Sequence, residues 1–521
     1  MDEKKLKVSW FTRGDIGGIA YIVPNNIVNY LIVIATLTGV LGWPNEIVFG
    51  RVIPGMSIGL MAGGFYYAYM GYKLAKKNGV STMTALPSGV STTAMFVILY
   101  GVVVPLHYAL GDPELAWSAA IAACFIGGFV EFCGGFIGPY IKKSIPRAAL
   151  LGTVAGIGFI WMATQGVFDI FGDPVLGLPI FIVAMVGLFG GYLFPKKIPP
   201  LVVAIVGGII YSICLGKSTF DFSNVGFYFP NPVNTIQYLL SGFAIVVPYL
   251  SIIIPIEIYN FIETMDNVEG ANAAGDMYSV REAQFADGIF TMLSALFGGI
   301  VPNTVWLGHA GLKKTGAGIG YSIVSGLVMG LAGILGLFSF LSALVPPAIC
   351  AITFLWCAVV MLCQAFRATE RKHYAGVAIA MIPPVADYLF TQVTGSVGLA
   401  NLWTETLSSG LSGYSAEVTQ MLIDAGVMWN GVPAVKAGSI IIGIILGAMT
   451  TFIIDHRLDK CAILMLIAAA LSATGFIHFA ALGFYLFSPF TIGYLICALL
   501  FFIMHLGRKS WFKHDDDFDY V

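Results

Sequence analysis

The stretch "GGIVPNTVWLGHAGLKKTG" (298–316) sets Pro302, Asn303, Thr304, Trp306 and His309 within eight residues of an otherwise apolar region. An imidazole can gain a proton near neutral pH. An amide or hydroxyl can hold the edge of a polar ligand, and an indole can stack on a planar one. Upstream, "IIIPIEIYNFIETMDNVEGANAAGD" (252–276) carries Glu257, Glu263 and Asp266 inside a second apolar run. On a helix Asn260, Glu263, Asp266 and Asn267 fall at i, i+3, i+6 and i+7 and form one polar stripe, with Glu257 on another face. Ionisable groups among apolar spans are costly and are functional candidates by default. The chemistry this points to is binding and proton transfer. Glu263 is the candidate for substrate binding and ion coupling, with His309 as a further binding and coupling group, Asp266 as a further coupling group and Asn303 and Trp306 as ligand contacts. Each has a structural alternative: an internal hydrogen bond or ion pair for Glu263, a helix end for Asp266 and a satisfied core position for His309.

These groups need elements that hold them at membrane depth. The chain has 521 residues, 58% hydrophobic and only 10% charged, where soluble proteins carry about a quarter charged. Its mean hydropathy is +0.87. Residues Gly17 to Trp43 contain no charge, and about 20 apolar residues cross a bilayer as a helix. The chain therefore reads as an all-α polytopic membrane protein whose partner is the lipid bilayer. The start, MDEKKLKVSW, has no small-residue cleavage site, so the first span is expected to be a retained anchor. Spans are expected at 17–42, 50–72, 82–108, 115–138, 148–168, 175–194, 199–215, 240–268, 284–300, 303–318, 319–343, 347–366, 374–391, 434–454, 461–480 and 482–505. With the N-terminus inside, only Arg51, Lys217 and Lys436 of the 26 Lys and Arg residues fall outside, which places both termini in the cytoplasm. The eight cysteines form no CxxC pair and read as small buried hydrophobes, so no metal or cofactor is expected beyond a coupling H+ or Na+.

Seven spans fill 17–215 and seven more fill 240–454, and an odd number per repeat inverts the second copy. The expected organisation is a tail at 1–16, a first repeat at 17–215, an external loop at 216–239, a second repeat at 240–454, two added helices within 455–505, and a tail at 506–521. The third span opens "TALPSGVSTTAMF" (84–96) and the tenth, third in its own repeat, opens "GIVPNTVWLGHAG" (299–311). Pro87 and Pro302 stand at matching places, each followed by small or polar residues. Non-helical backbone persists at this depth only when buried in protein or lining a cavity. Two broken helices facing a polar ligand are expected, the alternative being ordinary spans with kinks. Ser88, Ser91, Thr92 and Thr93 could supply hydroxyls or bond back to their own helix. Asn25 and Asn26, after Pro24, form a third polar intrusion.

These residues resemble the nucleobase–ascorbate (xanthine/uracil) permeases. "FIETMDNVEGANAAGD" (261–276) looks like that family's eighth-helix motif and lies nearest its adenine–guanine–hypoxanthine branch. "FADGIFTMLSALFGG" (285–299), "TALPSGVSTTAMF" and the Pro-containing "AIAMIPPVADYLF" (378–390) are similar to its ninth, third and thirteenth helices. The resemblance implies two inverted seven-helix repeats, core and gate domains, and short strands in helices three and ten that flank the substrate. It implies that Glu263 binds substrate and carries the coupling proton. Residues around Ser88–Thr93 and Val305–His309, Gly308 included, would give backbone contacts. The sequence departs from the family where Gly308-His309-Ala310-Gly311 replaces the usual acid or amide, and in the two spans at 461–505.

The function these features imply is secondary transport, proton- or sodium-coupled, of a nucleobase-like or small planar or anionic metabolite by alternating access. A channel, or an anion or organic-acid transporter of the same fold, is the alternative. No HExxH or GxGD motif suggests an enzyme. "CLGKST" (214–219) ends like a phosphate-binding loop, but Tyr211 occupies its first glycine position. A small-molecule substrate is expected and a nucleic-acid partner is not; the resemblance admits a homodimer.

Overall fold

The computed structural model describes residues 8–398, 420, 422–508 and 511, apart from Leu193, Lys196, Lys197, Pro199, Leu307, Ala480 and Ala481. Helix α1 (Gly14–Ile34) opens beside Asp15, whose carboxylate accepts from the Thr12 amide and from the Gly318 and Tyr321 amides far along the chain. Its Pro24 lacks the N–H that would continue the ladder, and the helix loosens into a π-turn at Ala35–Val40. Helix α2 (Ile53–Asn78) stops at Gly79, whose φ of 65° is the left-handed cap that glycine adopts without strain.

After α2 the chain is extended. Strand β1 (Ser88–Val90) follows Pro87 and leads into α3 (Thr92–Ile98). The long α4 (Pro113–Ser144) follows. In the second half, α5 (Leu250–Ala273) and α6 (Val280–Leu296) precede β2 (Asn303–Val305), the short α7 (His309–Lys314) and α8 (Gly320–Ile334). The order helix, helix, strand, helix thus recurs, with β1 and β2 in the broken third and tenth spans. The two strands pair antiparallel, Ser88 with Val305, Gly89 with Thr304 and Val90 with Asn303. The fold is the all-α, two-repeat membrane architecture anticipated from the sequence.

Among the described residues six helices are long and apolar enough to cross a bilayer, or up to eight if each bent pair is one span. The bends are where sequence expectation and structure part. Helix Pro232–Val246 begins inside the stretch expected to be an external loop, its first turn capped by Asn231, and it meets α5 at 95°. The span expected at 240–268 is therefore two elements joined near Pro248. A second bend of 90° follows α8 at Gly336, with φ of 64°. Hydropathy records burial and not direction, so neither bend is visible in it. Most of the loop expected at 392–433, most of the C-terminal tail and the first seven residues lie outside the described residues.

Two compact units emerge. One holds residues 1–139, 164–247 and 256–356, and contains both strands. The other holds 140–163, 248–255 and 357–521. In the second unit, helix Ser439–Ile454 packs Ile442 and Ile445 against Met465, Ala468, Ile477 and Ala498, so the two added C-terminal helices, Leu458–Ala473 and Pro489–Gly507, share its core. Cys124, Cys350 and Cys461 are buried as expected. Cys214, Cys363 and Cys497 instead sit on exposed helix faces, because an apolar side chain on a membrane helix can face lipid as well as protein.

Candidate functional site

Two three-residue strands cannot saturate their own backbone, so side chains complete them. On β1, the Asn26 carboxamide donates to Ser88 O at 3.3 Å and accepts from Val90 N–H at 3.1 Å. On β2, Asn260 donates to Asn303 O at 3.3 Å and Asn267 to Val305 O at 2.7 Å, while the Val305 N–H reaches Asp287 at 2.8 Å. Asn26 comes from α1, and Asn260 and Asn267 come from α5. The ends of the pair are closed by Trp306 N–H to Pro87 O at 2.8 Å and Ser91 N–H to Pro302 O at 3.0 Å. Both prolines therefore accept at the strand ends, where their missing N–H groups leave no unmatched donor.

Glu263 stands beside this pair with Tyr259 and Ser91 near its carboxyl group. Its Oε2 is sealed from solvent, and the Ser91 hydroxyl is buried. Thr264, the next residue, donates to Asp287 at 2.7 Å and shares a 2.9 Å hydrogen bond with Thr304. Tyr67 of α2 also donates to Asp287. Asp287 thus gathers Tyr67, Thr264 and the β2 backbone at one carboxylate. Thr92 is occupied by Asn29, at 3.0 Å. Asp266 is half-buried on α5.

Trp306 leaves β2 and lies against Gly89, where an added Cβ would sit 3.1 Å from it, and edge-on to Tyr21 at 5.1 Å. Gly308 has φ of 112°, a turn closed to most other residues, and a Cβ there would approach the same Tyr21. His309, 3% exposed, belongs to a different group: its Nε2 is 2.8 Å from Asp276, which also receives Lys313 at 2.6 Å. Burial raises the pKa of Asp276, but hydrogen bonds from His309 and Lys313 outweigh it and hold the carboxyl below its ordinary value. The His309 Nδ1 is buried without a partner.

The structure therefore unites Ser88, Ser91, Asn303 and Glu263 around the strand pair. It keeps Trp306 and Gly308 at one end of that pair and sets His309 with Asp276. Asp287 and Glu131 received no role in the sequence reading, although Asp287 stands in the quoted "FADGIF" and Glu131 in an apolar span. Thr291 lies one turn beyond Asp287 on α6, a polar spacing that could have marked that face. A wide cavity around Arg51, Trp117 and Tyr238 shares no lining residue with the strand pair; there Arg51 stacks on both rings and pairs with Glu114.

Helices broken at membrane depth around paired strands, with unmatched polar groups beside them, define a membrane transporter. The profile of the permease family, Xan_ur_permease, matches residues 57–346, and the chain belongs to this family of nucleobase–ascorbate permeases. No curated protein sequence matches it. Among solved structures, the transmembrane domain of a cyanobacterium bicarbonate transporter, BicA, is 17% identical with a TM-score of 0.47, over 74% of this chain and 95% of that one. SLC26A9 is 13% identical with a TM-score of 0.43, over 69% and 65%. The murine Slc26a9 anion transporter in its inward-facing state is 13% identical with a TM-score of 0.37, over 76% and 73%.

Proposed function

We propose that the protein is a secondary transporter, proton- or sodium-coupled, for a nucleobase-like or small planar or anionic metabolite, within or near the adenine–guanine–hypoxanthine branch. The observation that carries this is the Glu263–Ser91 pair: a carboxyl oxygen sealed from solvent with a buried hydroxyl beside it, next to two strands. A carboxyl oxygen accepts and a hydroxyl both donates and accepts, so the pair can exchange its mutual contact for the N–H and C=O groups of a bound ligand. Glu263 accepts from the substrate and takes up the coupling ion. Ser88, Ser91, Thr92, Asn303, Trp306 and Gly308 shape the rest of the site. His309 and Asp266 assist coupling, the former through its unmatched Nδ1. Both termini face the cytoplasm, by the distribution of Lys and Arg.

The test is uptake of radiolabelled purines, pyrimidines and carboxylates into proteoliposomes at two pH values, with Glu263→Gln beside the wild type. Saturable, pH-dependent uptake of a base that the variant loses is the expected result. Undiminished, pH-independent uptake by Glu263→Gln would remove this residue from the mechanism, and a conductance that never saturates would make the protein a channel.

A further inference from the structure

Two carboxyls outside that set converge on the first residue of β2 by separate relays. Glu131 of α4 and Glu257 of α5 are both wholly buried. The Glu257 Oε1 lies over Gly127, where an added Cβ would come within 2.5 Å of it. Glu131 stands one turn further along the same helix, so both carboxyls occupy the α4–α5 contact. Thr291 donates to Glu131 at 3.3 Å and accepts the Asn303 N–H at 3.0 Å. Asn260 donates to Glu257 at 3.4 Å and to the Asn303 carbonyl at 3.3 Å. The N–H and the C=O of one strand residue are thus each held by a side chain that also holds one of the two carboxyls.

Each carboxyl keeps one oxygen, Oε1 in both, sealed from solvent with no hydrogen bond. The Asn260 Oδ1 in the same contact, on a side chain with no exposed surface, is a third unmatched acceptor. The titratable groups facing Glu131 and Glu257 are Asp287 of α6, Glu263 of α5, Tyr67 of α2 and Cys124 of α4, all of them acids. No salt bridge reaches either carboxyl among the described residues. Two neighbouring carboxylates without a counter-charge in a low-dielectric interior cannot both stay ionised. Unmatched acceptors with no cation call for protons.

We propose that Glu131 and Glu257 form a proton-binding pair, separate from Glu263, whose occupancy is transmitted to β2 through Thr291 and Asn260. Binding adds a proton from bulk water to a carboxylate oxygen and breaks no bond in the protein. A neutral carboxyl is a weaker acceptor than a carboxylate, so the Thr291 and Asn260 side chains are held less firmly and their grip on Asn303 changes. The consequence for transport rests on β2 being part of the substrate site; the proton pair itself does not.

Infrared spectra of the purified protein in nanodiscs, taken from acidic to alkaline buffer, test this without any substrate. The expected result is a protonated-carboxyl C=O band that disappears with rising pH, persists in Glu263→Gln, weakens in Glu131→Gln and Glu257→Gln, and is lost in the double variant. Labelling glutamate with ¹³C displaces the band and assigns it to glutamate rather than aspartate even if a variant fails to fold. Thr291→Val keeps both carboxyls and is expected to move the pH at which the band disappears. A double variant that keeps the wild-type band overturns the pair, as does a band lost at constant pH when NaCl replaces choline chloride, which would make this a sodium site. An unmoved titration in Thr291→Val overturns the relay. Failure of every nucleobase in the uptake assay would refute the transport reading and leave these spectra unaffected.

Discussion

The Asn26 carboxamide bonds Val90 as a neighbouring strand would, accepting its N–H at 3.1 Å while donating to Ser88 O at 3.3 Å. Helix α1 is in this sense a third strand of the sheet. Asn26→Ala leaves one buried donor and one buried acceptor unmatched and is expected to cost about 1–3 kcal/mol for each group. Asn26→Asp keeps the acceptor for Val90 but sets a buried carboxylate against the Ser88 carbonyl, and should lose at least as much at neutral pH and less in acid, where its protonated form can donate to Ser88. Thermal unfolding of the detergent-solubilised variants gives the order.

Asp287 gathers three donors, from Tyr67, Thr264 and Val305. Asp287→Ala removes the acceptor for all of them and is expected to destabilise by about 3 kcal/mol or more. Asp287→Asn retains one acceptor oxygen and should lose less. A melting-temperature series checks the ranking, and equal losses in both variants would show that the charge, not the hydrogen bonding, matters.

Helices α4 and α6 approach closely through glycine. A Cβ at Gly288 would lie 2.5 Å from the Phe132 nitrogen and 2.6 Å from the Gly128 oxygen, and one at Gly128 would lie 2.8 Å from the Gly288 oxygen. These neighbours are backbone and cannot rotate away. Gly288→Ala must separate the helices, at a cost of about 1–3 kcal/mol, read as a fall in melting temperature with transport lost in proportion. A neutral Gly288→Ala would mean the helices are not in this contact.

Asp276 carries a pH dependence. Its pairing with His309 and Lys313 holds its folded-state value below the ordinary one, which is about 3.9 in the unfolded chain. The stabilisation is therefore complete above that unfolded value and is lost as pH falls through the lower folded one. Asp276→Asn is expected to flatten the acid limb of a melting-temperature profile measured against pH. An acid limb identical to wild type would place the loss at other carboxyls.

Several features are determined by the sequence itself, because they depend on local chemistry. Apolar runs of bilayer length can be satisfied only as helices, and Pro87 and Pro302 interrupt two of them at equivalent places because a proline supplies no N–H to the ladder. The polar stripe on α5 follows from helical spacing alone, and Asn260, Thr264 and Asn267 do turn toward β2. Other features only the tertiary structure decides, because they join residues hundreds of positions apart. No local signal pairs Ser88 with Val305, makes Asn26 the edge of a strand, or gives Asp287 its three donors. His309 shows the difference most sharply. Its position after the broken segment suggested a ligand contact, while the fold aims its Nε2 at Asp276, beyond the end of α5. Spacing fixes which residues share a helix face; what that face meets depends on where the other helices lie.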